Sequence, residues 1–179
     1  AFARVLSIAL ETAHDMGTAS FAVAHSHTCT SLGYFTEQIA DAGLIGLGFT
    51  NASAVVSPPG GNKAVLGTNP MALSVPAKQG GLAFQFDQST SAIALGKITM
   101  AAAAGEEIPL GWAVDANGNP TTDPHAALNG SLISTGGYKG WGLGLMVEVL
   151  AAALTGSVNS LDVKGLKLPD GEQIGRAHV

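Results

Sequence analysis

Gly136-Gly137-Tyr138-Lys139-Gly140-Trp141-Gly142 opens the stretch GGYKGWGLGLMVEVLAAAL, residues 136–154, and the way it is read decides which fold the chain can have. From Leu143 to Leu154 the run is apolar apart from Glu148, and it reads as a long buried helix. Lys139 then falls at the helix start. The amino end of a helix carries about half a positive charge and N–H donors without partners, so a cation there is disfavoured by a few tenths of a kcal/mol unless an anion joins it. A glycine-padded helix start with a lysine is what a phosphate or carboxylate site needs. The plainer reading sends Lys139 into solvent and leaves the glycines to bring the helix close to a neighbour.

Outward from this helix, composition narrows the class. The 179 residues are 46% hydrophobic with 24 glycines, enough for a substantial core with many tight turns. Only 12% are charged, about half the usual share, which predicts an apolar surface and an obligate homo-oligomer, most simply a homodimer. A net charge of −5 without any Lys/Arg cluster points away from nucleic acid and membrane surfaces. Cys29 is the single cysteine, so no intrachain disulfide can form, and a cytoplasmic setting is expected. Ala1 falls inside the amphipathic pattern Phe2, Val5, Leu6, Ala9, Leu10, Ala13, and Gly175 to Val179 completes no element. The expectation is one partial domain, residues 1–179, cut from a longer chain.

The order of elements follows from periodicity and turn residues. A helix from the amino end to Gly17 is followed by a strand over Ser20 to Ser26, a helix over Tyr34 to Ala42 and a buried strand over Leu44 to Thr50. The long loop Asn51 to Pro70 has the length of a functional one. Strands over Met71 to Val75 and Leu82 to Phe86 come next, and Asp87 is expected to cap a helix from about Gln88 to Ala104. Asn117-Gly118 marks a turn, and Asp123-Pro124 starts a short helix ended by Gly130. Strands and helices alternate without the spacing of repeated β-α-β units, so the fold expected is α/β, a mixed sheet flanked by helices.

Several residues could carry chemistry. His25, His27 and Cys29 share one face if the strand continues through them, which makes a metal conceivable, but nothing nearby supplies further ligands, so no metal is expected. A histidine that exchanges a proton near neutral pH is the other reading. Asp87 stands at the carboxyl end of a strand before Ser89, Thr90 and Ser91, and it reads both as a helix cap and as a carboxylate that could bind a ribose or orient a catalytic group. Neither GLIGLG (43–48) nor GWGLG (140–144) has the strand, glycine order and downstream acid of a Rossmann loop, and no Walker loop or Gly-x-Ser-x-Gly elbow is present.

Five motifs in order, SHTCTSLGYF (26–35), PPGGNKAVLGTNP (58–70), FDQSTSAIALGKI (86–98), GNPTTDP (118–124) and GGYKGWGL (136–143), resemble the malate/L-lactate dehydrogenase family of NAD(P)-dependent oxidoreductases. Sulfolactate, ureidoglycolate and diketogulonate enzymes and cyclic imino-acid reductases also belong to that family. The resemblance implies a non-Rossmann cofactor-binding domain, which accounts for the missing fingerprint. It implies a cofactor, NAD or NADP, contacted by Asp87, Gln88 and Ser89, by the backbone of Ala52 and by Lys139 at a phosphate, with Asn69 and Pro70 shaping the cleft. It implies a small 2-hydroxy, 2-oxo or cyclic 2-imino acid as substrate. One departure stands out: aligned on Gly33-Tyr34-Phe35, the family's proton-transferring His falls on Thr28 and the next Gly on Thr30, which leaves His27 one place off. Thr28, His27 and Asp87 are therefore the candidate catalytic positions. A second family His, in a Ser-His-Gly segment, is expected upstream of Ala1. A catalytically silent nucleotide-binding or structural subunit is the rival reading that Thr28 suggests.

Overall fold

Two alternate positions of one strand, both glycine, determine how the first layer packs. In the computed structural model, which describes residues 2–23, 30–163 and 177–178, helix α2 (Gly33–Asp41) lies across strand β2 (Gly46–Phe49). A Cβ at Gly46 would stand 2.5 Å from the Thr36 carbonyl oxygen, and one at Gly48 3.0 Å from Thr36 Cγ2. The helix can sit this close only because β2 presents glycine on that face. Leu47 and Ile45 are about half exposed, so only the glycine face of the apolar run 44–50 is covered, and the fully buried strand expected from its hydropathy is not what forms. Gly46→Ala should cost at least about 1 kcal/mol of stability, because a helix backbone carbonyl is the obstacle; a chemical-denaturation midpoint equal to that of the parent would show that α2 can shift aside.

The main sheet runs β1-β7-β2-β3-β4, with β1 at Ala22–Val23, β3 at Met71–Pro76, β4 at Leu82–Gln88 and β7 at Ala177–His178. The expected α/β class with flanking helices holds. Among the described residues every ladder of this sheet is antiparallel, and a parallel pairing occurs only in the isolated bridge Val56–Leu132. Ala177–His178 insert between β1 and β2, where the sequence reading expected no element. Helix α1 (Phe2–Met16) buries no residue. It leans on α2 through Phe2, whose ring meets Phe35 edge-on at 5.0 Å.

The apolar core lies beyond the sheet. Val56 from the long loop, Ile98 from α3 (Leu95–Ala104), Ile108, Ala113 from β5 (Ala113–Val114), Ala127 from α4 (Pro124–Asn129) and Leu132 from β6 (Ser131–Leu132) form one buried cluster. Asp123 caps α4 as its sequence predicts, with Oδ1 accepting the His125 N–H at 2.8 Å. Helix α5 (Tyr138–Glu148) passes directly into a π-helical turn, Val149–Ala153. This segment is not buried all round: Gly140, Gly144, Val147, Glu148, Ala151 and Ala152 face inward, whereas Leu145, Met146, Val149 and Leu154 are largely exposed.

Candidate functional site

Asp87 lies in β4, paired across the ladder with Ala72, and not at the start of a helix. The helix expected from Gln88 begins only at Leu95. Serine hydroxyls explain the delay: Ser91 Oγ donates to the Ile93 carbonyl at 2.8 Å and exchanges a 3.0 Å hydrogen bond with Ser89 Oγ, local bonds that compete with a helical first turn. Asp87 nevertheless caps a helix, one distant in sequence. Its Oδ2 accepts the N–H of Gly33, the first residue of α2, at 2.8 Å and the hydroxyl of Ser31 at 3.1 Å. A carboxylate at a helix amino end is favourably placed. Gln85 Nε2 donates to the Gly33 carbonyl at 3.2 Å, so β4 grips both backbone polar groups of Gly33.

The turn after β4 is fastened to the approach of α5. Thr90 N–H donates to the Thr68 carbonyl at 2.9 Å, the Thr90 carbonyl accepts the Thr135 N–H at 3.0 Å, and Ser91 bridges Ser134. Gln88 and Ser89 are thus carried on a backbone tied to residues 134–135, a few positions before Lys139. Gly136 and Gly137 have φ of 59° and 64°, and a Cβ on either would meet nothing within 4 Å. Their backbone conformation requires glycine, and the space beside them is open. At Gly140 a Cβ would stand 1.8 Å from the Thr135 carbonyl oxygen, so only glycine lets the helix's first turn fold back against the turn that leads into it. Lys139 is exposed at the second position of α5, as its sequence predicts. The ammonium, the unpartnered N–H groups of the helix's first turn and the open glycine edge together make a donor set for an anion.

Ala52 sits at the far side of Asn69. Its N–H is taken by Asn69 Oδ1 at 3.2 Å, and a Cβ at Gly67 would stand 2.3 Å from its carbonyl oxygen. The Ala52 donor is therefore committed within the protein, and its carbonyl packs against Gly67. His27 and Thr28, like His25 and Cys29, lie outside the described residues. Among the described residues no group of three or more His, Cys, Asp or Glu could hold a metal ion, and no helix is long and apolar enough to cross a membrane.

This α/β arrangement has counterparts among known proteins. The malate/L-lactate dehydrogenase family model matches residues 1–178. The chain belongs to the malate/L-lactate dehydrogenase family. It is 40% identical, over all 179 residues, to a (2R)-3-sulfolactate dehydrogenase (NADP(+)) of Chromohalobacter salexigens, of which it covers 54%. Over 153 residues, 86% of this chain and 46% of the other, it is 44% identical to a Δ1-pyrroline-2-carboxylate/Δ1-piperideine-2-carboxylate reductase of Pseudomonas aeruginosa. The crystal structure of the Δ1-piperideine-2-carboxylate reductase from Pseudomonas syringae superposes with a TM-score of 0.90 at 37% identity, covering 99% of this chain and 54% of that one. The chain spans about half the length of the curated relatives it matches.

Family membership accounts for the motifs, but the sequence reading missed a group behind them. Glu148 is 7% exposed and Asn69 fully buried, and they hydrogen-bond to each other at 2.7 Å beneath α5. The signal was present: an acid inside an apolar helix must be buried with partners or exposed at a break. It was read only as an interruption of hydropathy.

Proposed function

We propose that this chain is the cofactor-binding domain, residues 1–179, of an NAD(P)-dependent oxidoreductase. The enzyme moves a hydride between nicotinamide C4 and the C2 carbon of a small 2-hydroxy or 2-oxo acid of the malate, lactate or sulfolactate type. The observation that carries this is the Lys139 helix start, opened by Gly136 and Gly137 and fastened through Thr90 and Thr135 to the turn bearing Gln88 and Ser89. Lys139 and the free N–H groups of α5 would hold a cofactor phosphate; Gln88, Ser89 and Ala52 would line the rest. When bound, the nicotinamide supplies the hydride, and the protein supplies orientation and a proton. Asp87, whose Oδ2 is held by Gly33 and Ser31, would orient the proton-transferring side chain, for which the sequence offers His27 or Thr28. A cyclic 2-imino acid is the alternative substrate, supported by the 44% identity to the pyrroline and piperideine carboxylate reductase. The exposed apolar flank of α5 and the π turn after it, Leu145, Met146, Val149 and Leu154, supports a homodimer, and the single cysteine a cytoplasmic enzyme.

Cofactor binding should be visible as thermal protection of the complete protein. A ligand at a hundredfold excess over its Kd stabilises the native state by about 2.7 kcal/mol. Millimolar NADH or NADPH should therefore raise the melting temperature by several degrees. If neither moves it, the silent-subunit reading replaces the enzyme.

A further inference from the structure

Four hydrogen-bond donors converge on a single carboxylate beneath the Lys139 helix. Glu148 Oε1 accepts the Ser160 N–H at 2.6 Å and Asn51 Nδ2 at 3.5 Å; Oε2 accepts the Ser160 hydroxyl at 2.5 Å and Asn69 Nδ2 at 2.7 Å. All four residues are buried, and none of the donors is a cation. A charge kept out of water on neutral donors alone is costly, so its geometry rather than its contribution to stability is what distinguishes it.

The donors come from the elements that frame the proposed cofactor site. Asn69, held at a left-handed φ of 37°, spreads one side-chain amide over three partners on two of them: Nδ2 reaches the Gly144 carbonyl of α5 at 3.0 Å as well as Glu148 of the same helix, while Oδ1 accepts the Ala52 N–H of the long loop. Ser160 ties both arms of the long loop to the same acid, because its carbonyl accepts the Ala54 N–H at 3.0 Å and its hydroxyl oxygen the Gly67 N–H at 3.0 Å. The π-helical turn begins at the residue after Glu148, and the chain then returns to bring Ser160 onto the carboxylate twelve positions later.

We infer that Glu148 is a positioning residue: with Asn69 and Ser160 it fixes the height and rotation of the helix carrying Lys139 against the Ala52 loop, and so sets the affinity for the cofactor. The inference rests on the cofactor reading given above. Carboxylate chemistry makes it specific. An amide at 148 would bring two donors into a site built from donors, and in either orientation its NH2 would face Asn69 Nδ2 or the Ser160 N–H.

In the complete protein, Glu148→Gln should raise the NAD(P)H Kd, read by fluorescence titration, and the cofactor KM by about tenfold, while the acid substrate's KM stays within about twofold. Ser160→Ala keeps the backbone donor and should raise the Kd about threefold. Because both act through Lys139, Glu148→Gln should add less than about twofold in a Lys139→Ala background. A lowered melting temperature with unchanged Kd in both variants, or full additivity with Lys139→Ala, would overturn the inference. Should Glu148→Gln not fold, Ser160→Ala decides alone. If Lys139→Ala leaves the Kd unmoved, the phosphate role of the lysine falls. In that case a raised Kd in Glu148→Gln keeps the positioning role and an unchanged one removes it too.

Discussion

Lys139→Ala weakens NAD(P)H binding by about 1.5–3 kcal/mol, roughly ten- to a hundredfold in Kd, which is the usual worth of a charge-assisted hydrogen bond. This is the outcome we expect, and the fold should survive it. The side chain is exposed, and the cation at the amino end of α5 opposes the helix dipole, so removing it leaves stability unchanged or slightly improved. Salt supplies an independent check. An exposed ammonium is screened within about 8–10 Å at ordinary ionic strength, so the parent's affinity should fall more steeply with added salt than the variant's. Equal affinity and equal salt dependence in the two proteins would return Lys139 to solvent and leave the glycines a purely conformational role.

The same helix shows what the sequence made legible. Its start, the glycines before it and the lysine within its first turn could be read from residue types, because positive φ and helix-end electrostatics are local properties. The cap of α4 by Asp123 was readable for the same reason. Long-range facts were not. That Asp87 serves the amino end of α2, 54 positions earlier, depends on the β3–β4 ladder running on to Gln88, and local propensity favoured turning the chain into a helix there. The inward face of α5 and the exposure of Leu145 and Val149 depend on what packs above and below the helix, which hydropathy does not report. Glu148 sat in plain view, but its partners Asn69 and Ser160 are 79 and 12 positions away, and only the fold brings them to one carboxylate.

Proton transfer gives the largest effect expected of any substitution in this chain. Five positions before Gly33, where the family resemblance implies a histidine, the chain has Thr28, and His27 precedes it. Both positions lie close in sequence to Ser31, whose hydroxyl donates to Asp87, and in the proposed mechanism this carboxylate would orient the proton donor. In an extended segment a slip of one residue turns a side chain to the opposite face, and a histidine on that face does not reach a substrate that its neighbour would touch. Thr28→His in the complete protein should therefore raise turnover of a 2-oxo or cyclic 2-imino acid by roughly 10²–10⁴, the contribution of a positioned general acid, and His27→Ala should change it little. Assays of both variants with pyruvate, oxaloacetate and a cyclic imine separate the alternatives. If His27 has taken the role, the pattern inverts: His27→Ala abolishes turnover and Thr28→His crowds the site. If neither change alters the rate, proton transfer does not run through this segment at all.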